Sequence, residues 1–157
     1  MRSEKKANLY IALLHYPIYN KNKKLVTTAV TSFDIHDIAR LARTYDIPKF
    51  YIVTPIESQR LLTERIITHW TEGFGAGYNP TRGEALKIVS VVPDLKAVKG
   101  DIAKKEGSRP KIVVTDARIF KGAIDYSVLR KRIRKGRTSY LVLFGTGWGI
   151  SKRLINS

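Results

Sequence analysis

The sequence LVLFGTGWGI, residues 141–150, joins a short apolar run directly to a loop with three glycines at alternate positions. A run of this kind is typical of a strand buried in a parallel sheet. Gly145, Gly147 and Gly149 permit positive φ angles and a close approach of the backbone to a planar ligand. Ligands of open α/β sheets bind at the carboxyl ends of strands, so this loop is the first candidate site. A plain tight turn is the alternative that the spacing alone leaves open.

Similar apolar runs recur along the chain and alternate with segments of helical period, which predicts an α/β fold with a mostly parallel sheet and helices on both faces. The predicted strands are residues 9–14, 50–53, 87–92, 111–115 and 139–144. The predicted helices are residues 34–45, about 57–71, 94–106 and 125–135. The glycines of GFGAGYNP, residues 73–80, are expected to end the second helix in a loop. Residues 14–24 read as an exposed basic loop, and residues 1–157 as a single domain.

The charge balance indicates a phosphate-rich partner. Lys and Arg number 29 against 13 Asp and Glu, a formal net charge of +16, which favours nucleic acid. We expect no membrane segment or signal peptide, and therefore a cytoplasmic protein. The absence of cysteine excludes disulfides and thiolate metal sites. The three histidines, His15, His36 and His69, have no metal-binding spacing, so we expect the protein to hold no metal. We interpret His36 as a helix-surface residue rather than a general base, and His15 and His69 as structural.

The glycine loop favours a nucleoside over a phosphate. Its spacing is not G-x-G-x-x-G and no P-loop lysine follows it, whereas an adenine edge can be read by backbone groups alone. A second loop, Thr115, Asp116 and Ala117, follows the fourth predicted strand. Its carboxylate could face a sulfonium cation or a ribose hydroxyl. The alternative for Asp116 is a local hydrogen bond in a turn.

Two charged segments complete the candidate site. The helix from residue 34 is predicted to bury Ile35, Ile38, Leu41, Ala42 and Tyr45, and to expose a polar face. On that face Asp37, Arg40 and Arg43 are spaced three residues apart. One interpretation is a solvated charge ladder. The other is a functional site in which Arg43 binds an RNA phosphate or stabilises the reacting nucleotide. The run RKRIRKGR is either a solvated face or a contact to the RNA backbone near the glycine loop; its cations are Arg130, Lys131, Arg132, Arg134, Lys135 and Arg137.

Three motifs resemble those of the SPOUT class of RNA methyltransferases. VTSFDIHDIARLARTYDIPKFYIVTP, residues 30–55, resembles the first SPOUT motif, with Asp34 and Asp37 where the SpoU-type branch usually has asparagines, and with Arg43 at the motif arginine. LFGTGWGI resembles the glycine-rich second motif. Together with IALLHYP and TEGFGAGYNP, these segments resemble a small bacterial family of S-adenosylmethionine-dependent RNA methyltransferases over nearly the whole chain.

This resemblance implies a trefoil-knot fold, a homodimer and a cofactor pocket for S-adenosylmethionine. It assigns to that pocket Thr115, Asp116, Ala117, Leu143, Phe144, Gly145, Thr146, Gly147, Trp148 and Gly149. It places Arg43 on the catalytic or substrate side, and a carboxylate such as Asp34 or Asp37 is the chemically suitable base. The resembling proteins continue past the glycine loop with a further motif and a helix, whereas this sequence ends at SKRLINS. We therefore expect the C-terminal knot segment to be missing or truncated here.

The sequence thus predicts an S-adenosylmethionine-dependent RNA methyltransferase acting on a nucleotide of rRNA or tRNA. The alternative is a non-catalytic RNA-binding protein that retains the SPOUT fold. A nucleotide-dependent oxidoreductase is disfavoured because the dinucleotide fingerprint and its spaced ribose carboxylate are missing.

Overall fold

The computed structural model describes residues 8–156. Its centre is a sheet of five parallel strands, which confirms the predicted class. In chain order the strands of the fold are β1 (Leu9–Leu14), β2 (Ile18–Tyr19), β3 (Leu25–Val26), β4 (Phe50–Val53), β5 (Val89–Val92), β6 (Lys111–Val114) and β7 (Tyr140–Gly145). The sheet order is β5-β4-β1-β7-β6, while β2 and β3 form a separate antiparallel hairpin. All five predicted strands are present, with ends shifted by at most two residues.

Helices cover both faces of the sheet, as the alternation predicted. They are α1 (Ser32–Thr44), α2 (Glu57–Thr71), α3 (Phe74–Tyr78), α4 (Pro80–Leu86), α5 (Leu95–Glu106), α6 (Tyr126–Lys135) and α7 (Lys152–Ile155). One core cluster joins the sheet to α1, α2 and α4. The other joins the opposite face to α5 and α7. The two clusters arise because alternate residues of each buried strand point to opposite faces.

The predicted loop after α2 is wrong, because α3 and α4 form there. Asn79 caps α4, with its side chain accepting from the backbone of Arg82 at 3.1 Å, and Pro80 occupies the first turn. Proline at that position is compatible with a helix start because no hydrogen bond is lost. A β-carbon at Gly75 would lie only 2.5 Å from the Trp70 ring, so glycine here permits close helix packing. The glycines of this segment therefore serve packing as well as turning.

The predicted apolar stripe of α1 is partly wrong. Its buried residues are Ile35, Ala39 and Ala42, whereas Leu41 and Tyr45 are exposed. Spacings of four and three residues put the three buried side chains on one side of a helix of 3.6 residues per turn. α1 consequently meets the sheet through a narrow face of small side chains.

The hairpin β2–β3 lies where the sequence suggested only an exposed basic loop. Ile18 is fully buried and forms a bridge with Ile150 after the glycine loop. The peptide bond before Pro17 is cis. Because β7 lies between β1 and β6, the hairpin after β1 and the loops after β6 and β7 meet at the carboxyl ends of these three parallel strands.

Candidate functional site

The two loops predicted to bind a cofactor line one cleft of about 990 Å³ at the carboxyl ends of β1, β6 and β7. This is where the strand order changes direction, the usual position of a ligand in an open α/β sheet. Of the ten residues assigned to the pocket, nine line the cleft, and Leu143 is buried beneath it. The cleft is also lined by residues that the sequence did not assign, namely Tyr19, Asn20, Lys21, Lys23, Arg118, Tyr126 and Lys152.

The hairpin holds the glycine loop in place through its backbone. The amide of Tyr19 donates to the carbonyl of Gly149 at 2.9 Å, and the amide of Trp148 donates back to the carbonyl of Tyr19 at 3.0 Å. Gly147 and Gly149 have φ angles of 52° and 97°, a region that favours glycine. A β-carbon on Gly147 would lie 3.1 Å from Ile18 and 3.2 Å from the Tyr19 carbonyl. The hairpin alone therefore requires glycine at this position.

An ion pair links the second loop to the glycine loop. Arg118 donates through Nε and Nη2 to the two carboxylate oxygens of Asp116, and Nη2 also reaches the carbonyl of Ile150 at 2.7 Å. The Asp116 side chain also accepts from the backbone amide of Arg118 at 2.8 Å, the local turn bond that was the alternative for this residue. These hydrogen bonds hold the pKa of the Asp116 carboxyl below its usual value. The cleft thus contains a carboxylate that stays ionised beside a guanidinium.

A buried chain of side-chain hydrogen bonds supports the glycine loop from below. Nδ1 of His15 lies 2.9 Å from the Thr28 hydroxyl, which lies 2.5 Å from the Thr146 hydroxyl. Thr146 in turn donates to the carbonyl of Leu14 at 3.1 Å. The Thr28 hydroxyl can also donate to the carbonyl of His15 at 3.5 Å. The His15 ring and the two hydroxyls therefore form one connected hydrogen-bond chain beneath the loop.

The other ring nitrogen of His15 faces the start of α1. Nε2 is buried without a hydrogen bond among the described residues and lies 3.8 Å from Oδ2 of Asp34. Burial lowers the pKa of His15, and the nearby Asp34 carboxylate partly opposes this effect. The same carboxylate accepts from the amide of Thr31 at 2.8 Å and completes a capping box. Asp34 therefore has a structural role at the helix start. It lies near the cleft but is separated from it by His15 and the hydrogen-bond chain.

Exposed aromatic rings and lysines surround the cleft. Tyr126, Trp148 and Phe144 are 86%, 68% and 40% exposed, so their ring faces are accessible to a planar group. Lys21, Lys23 and Lys152 are also exposed cleft residues. The aromatic and cationic lining suits a nucleotide ligand.

The predicted catalytic residues of α1 do not line this cleft. Asp37 and Arg43 are exposed, and the nearest ionic partner of Arg43 is Asp46 at 3.8 Å. Arg43 follows Asp34 by nine residues, roughly 14 Å along the helix axis. Asp34, Asp37 and Arg43 thus share a helix, but only Asp34 approaches the hydrogen-bond chain beneath the glycine loop.

The predicted RNA-binding cations form an exposed surface that starts near the cleft. Five of them lie on α6, which has no buried residue, and Arg137 follows it. Tyr126, the first residue of α6, lines the cleft, while Gly136 after its end lies near Tyr140 at the start of β7. The basic run therefore extends from the cleft, at the carboxyl ends of the strands, toward their amino ends.

The remaining histidines pack against an aromatic ring. The ring of His36 lies 6.0 Å from that of Trp70, and the ring of His69 lies 5.0 Å from it. Burial is the main cause of the lowered pKa of His36.

Within residues 8–156, no helix has the length and apolar character needed to cross a membrane. The described residues also include no group of three or more His, Asp or Glu placed to hold a metal ion.

Comparison with known proteins shows which sequences this chain is similar to. Residues 8–157 match the profile of a family described as SAM-dependent RNA methyltransferase. The chain is 45% identical over 150 residues to an uncharacterized protein of Aquifex aeolicus, covering 96% of this chain and 73% of that protein. It is 42% identical over 144 residues to a tRNA (guanine-N(1)-)-methyltransferase of Oleidesulfovibrio alaskensis, with 92% and 33% covered. For the protein of the same name from Nitratidesulfovibrio vulgaris, the identity is 40% over 148 residues, with 94% and 34% covered. The chain thus spans about a third of the length of these two named relatives.

Proposed function

The chain belongs to the SAM-dependent RNA methyltransferase family, and we propose that its cleft binds S-adenosylmethionine for the methylation of a nucleotide in tRNA. The observation that carries this proposal is the convergence of the glycine loop and the loop after β6 on one cleft at the carboxyl ends of parallel strands. Two loops that are distant in sequence but adjacent in space indicate a binding site more strongly than either loop alone.

The cleft residues match the chemical parts of this cofactor. Bound there, S-adenosylmethionine supplies a methyl group on a sulfonium sulfur. Trp148 and Phe144 offer ring faces for the adenine, and the Asp116–Arg118 pair offers one charge of each sign for the ammonium and carboxylate of the methionine part. Arg118 would therefore bind the carboxylate with its remaining donor capacity. Fixing the cofactor in one orientation is the main requirement of an in-line methyl transfer.

In this proposal, the residue that accepts a proton from the substrate does not come from the cleft of the chain that binds the cofactor. Asp116 is a weak base because Arg118 lowers its pKa. Asp34, Asp37 and Arg43 remain the predicted catalytic residues, and α1 presents the latter two on an exposed surface. In a homodimer, α1 of one protomer could bring Asp37 and Arg43 to the cleft of its partner. The homodimer and these roles are proposals that depend on one another.

We also propose the SPOUT trefoil-knot fold for this chain. The supporting features are the position of β7 between β1 and β6 and the contact of the following segment with the hairpin. There the amide of Ser151 donates to the carbonyl of Pro17 at 3.0 Å. The segment that follows the glycine loop therefore lies against the segment that follows β1.

The choice of tRNA rests on the names of two relatives. Because this chain covers about a third of each, their printed activity belongs to the whole proteins. We infer that the shared region acts on the same class of RNA. The net charge of +16 supports a polyanionic substrate without distinguishing tRNA from rRNA.

The test combines cofactor binding with methyl transfer. Calorimetric titration with S-adenosylmethionine should show binding, and labelled methyl groups should enter tRNA from cells that lack the gene. Trp148→Ala should weaken cofactor binding about three- to tenfold, as expected for loss of about 0.5–1.5 kcal/mol of ring stacking. Phe74→Ala is the matched control because Phe74 is also exposed but lies on α3.

The outcomes separate the possible functions. Transfer into rRNA alone would replace tRNA as the substrate. RNA binding with neither cofactor binding nor transfer would identify a non-catalytic RNA-binding protein. Equal effects of the two aromatic substitutions would place the adenine elsewhere.

A further inference from the structure

The turn between β2 and β3 lies at the mouth of the cleft and is closed by hydrogen bonds of its own. The side-chain oxygen of Asn20 accepts from the amides of Asn22 and Lys24 at 2.9 and 3.0 Å. The backbone amide of Asn20 also donates to the carbonyl of Lys24 at 2.9 Å, and Lys23 has a φ angle of 59°. These bonds fix the direction in which the turn presents its side chains.

Three lysines line the cleft from two of its walls. Lys21 and Lys23 line it from the hairpin turn, and Lys152 lines it from the segment after the glycine loop. Among residues 8–156, no ion pair within 4.0 Å involves any of the three. The carboxylate of Asp116, which also lines the cleft, is bound by Arg118 on both oxygens. The cleft therefore has three positive charges that the described residues do not neutralise.

The number of these charges points to RNA as their ligand. S-adenosylmethionine has one carboxylate and is itself cationic at sulfur, and the Asp116–Arg118 pair already suits its methionine part. An RNA strand offers one negative phosphate per nucleotide, so it can pair with several lysines at once. Such contacts position a strand without reading its sequence.

We infer that Lys21, Lys23 and Lys152 form a phosphate clamp that holds the RNA strand on both sides of the nucleotide to be methylated. This inference rests on the proposed function, because it assumes that the cleft holds the methyl donor. It gives the cleft its own RNA contact, distinct from the cations of α6. The α6 run would guide the body of the RNA, whereas the clamp would seat the target nucleotide.

The experiment compares lysines of the same turn. The triple variant Lys21→Gln, Lys23→Gln and Lys152→Gln is compared with Lys24→Gln, since Lys24 belongs to the turn but does not line the cleft. Dissociation constants for unfractionated tRNA are measured between about 50 and about 200 mM KCl. Removing one phosphate contact should reduce the slope of log affinity against log salt by about 0.7–0.9, so the triple variant should lose roughly 2 to 3. Lys24→Gln should leave the slope unchanged, and calorimetry should show wild-type affinity for S-adenosylmethionine in both.

Each other result decides a different question. An unchanged slope in the triple variant, with normal methyl transfer by the wild type, would overturn the clamp and leave the proposed function standing. Loss of S-adenosylmethionine binding without RNA would show that the lysines hold the cofactor instead. A slope loss of about 0.7–0.9 for Lys24→Gln, as large as that expected for each clamp lysine, would show general attraction by a basic hairpin, which also overturns the clamp. Wild-type protein that neither binds the cofactor nor transfers methyl groups would refute the proposed function itself.

Discussion

Arg118 binds Asp116 through two parallel hydrogen bonds, from Nε to Oδ1 at 2.7 Å and from Nη2 to Oδ2 at 2.6 Å. The same Nη2 reaches the carbonyl of Ile150, so one guanidinium joins the loop after β6 to the glycine loop. A lysine could not reproduce this geometry, because its ammonium lacks the planar fork.

Replacing Arg118 should therefore damage both stability and cofactor binding. Arg118→Ala leaves the largely buried Asp116 carboxylate unpaired, which should lower the free energy of unfolding by about 1–3 kcal/mol. Urea unfolding measures this loss, and Arg109→Ala is the control because Arg109 is an exposed arginine outside the cleft. Equal losses in the two variants would contradict the proposed bridging role.

The effect of Arg118→Ala should also depend on pH. Because the ion pair lowers the pKa of Asp116 in the folded state, it stabilises the protein above the ordinary aspartate pKa of about 3.9. That contribution is lost as pH falls through the lower folded-state pKa. The stability difference between wild type and variant should therefore shrink in acid, and a constant difference would argue against an ionic origin.

The hydrogen-bond chain below the glycine loop can be cut at Thr28. Thr28→Val keeps the shape but leaves Nδ1 of His15 without its hydrogen-bond partner. We expect a loss of about 1–3 kcal/mol in the free energy of unfolding. Cofactor affinity should also fall, because Thr146 loses a partner. Thr28→Ser restores the hydroxyl, and failure of serine to rescue either property would count against the chain.

Gly147 should be sensitive to the smallest side chain. Gly147→Ala places a β-carbon at positive φ, at a cost of about 1–2 kcal/mol, and against Ile18 of the hairpin. Thermal unfolding should show a loss even without cofactor. Gly100→Ala, in open space on α5, should instead be neutral or stabilising by about 0.5–1 kcal/mol. Loss of cofactor binding at unchanged stability would show that the ligand alone requires glycine.

Features of this site that depend on neighbouring residues in the sequence were predicted, whereas features that depend on residues far apart in the sequence were not. The strands were predictable because each is a short run of mainly apolar residues. Gly147 and Gly149 do adopt the positive φ angles that their residue type permits. The hairpin was missed because its two-residue strands are too short to show alternation. Its first strand also bridges to Ile150, far along the chain.

Arg118 and the helices after α2 were missed for different reasons. The local bond of Asp116 was foreseen as an alternative, but the contact of Arg118 with Ile150 is tertiary and leaves no sequence spacing. For α4, by contrast, the signal was present, since Asn79-Pro80 is a cap followed by a first-turn proline. The glycine-rich composition outweighed it in the prediction.

The cations of α6 should contribute to RNA affinity in a way that does not depend on sequence. Changing Arg130, Arg132 and Arg134 to Gln should weaken binding to all RNAs alike and reduce the salt slope by about 0.7–0.9 for each phosphate that is no longer bound. The fold should be unaffected because α6 buries no side chain. Binding measured against salt for two unrelated RNAs tests this, and an unchanged slope would make the run a solvated face.

Arg43 provides the test of the predicted catalytic side. Arg43→Ala should preserve the fold and cofactor affinity, because the side chain is exposed and its nearest carboxylate is 3.8 Å away. Methyl transfer should fall by on the order of a hundredfold, the typical effect of removing one preorganised charge interaction. Arg40→Ala is the control on the same helix face. Normal turnover in Arg43→Ala would return the residue to the solvated charge ladder.

The pairing of β7 with β1 also governs the order in which the protein can form. Leu9 pairs with Tyr140, whereas β1, β4 and β5 are joined through much shorter stretches of chain. During synthesis at the ribosome, the half-sheet of β1, β4 and β5 can therefore assemble while β7 is still being made. The cleft needs β1, β6 and β7 together, so a nascent chain gains this cleft only as one of the last events of folding. Contacts between such distant segments are slow to form, so the proposed cofactor site would become complete only after β7 has paired with β1 and β6.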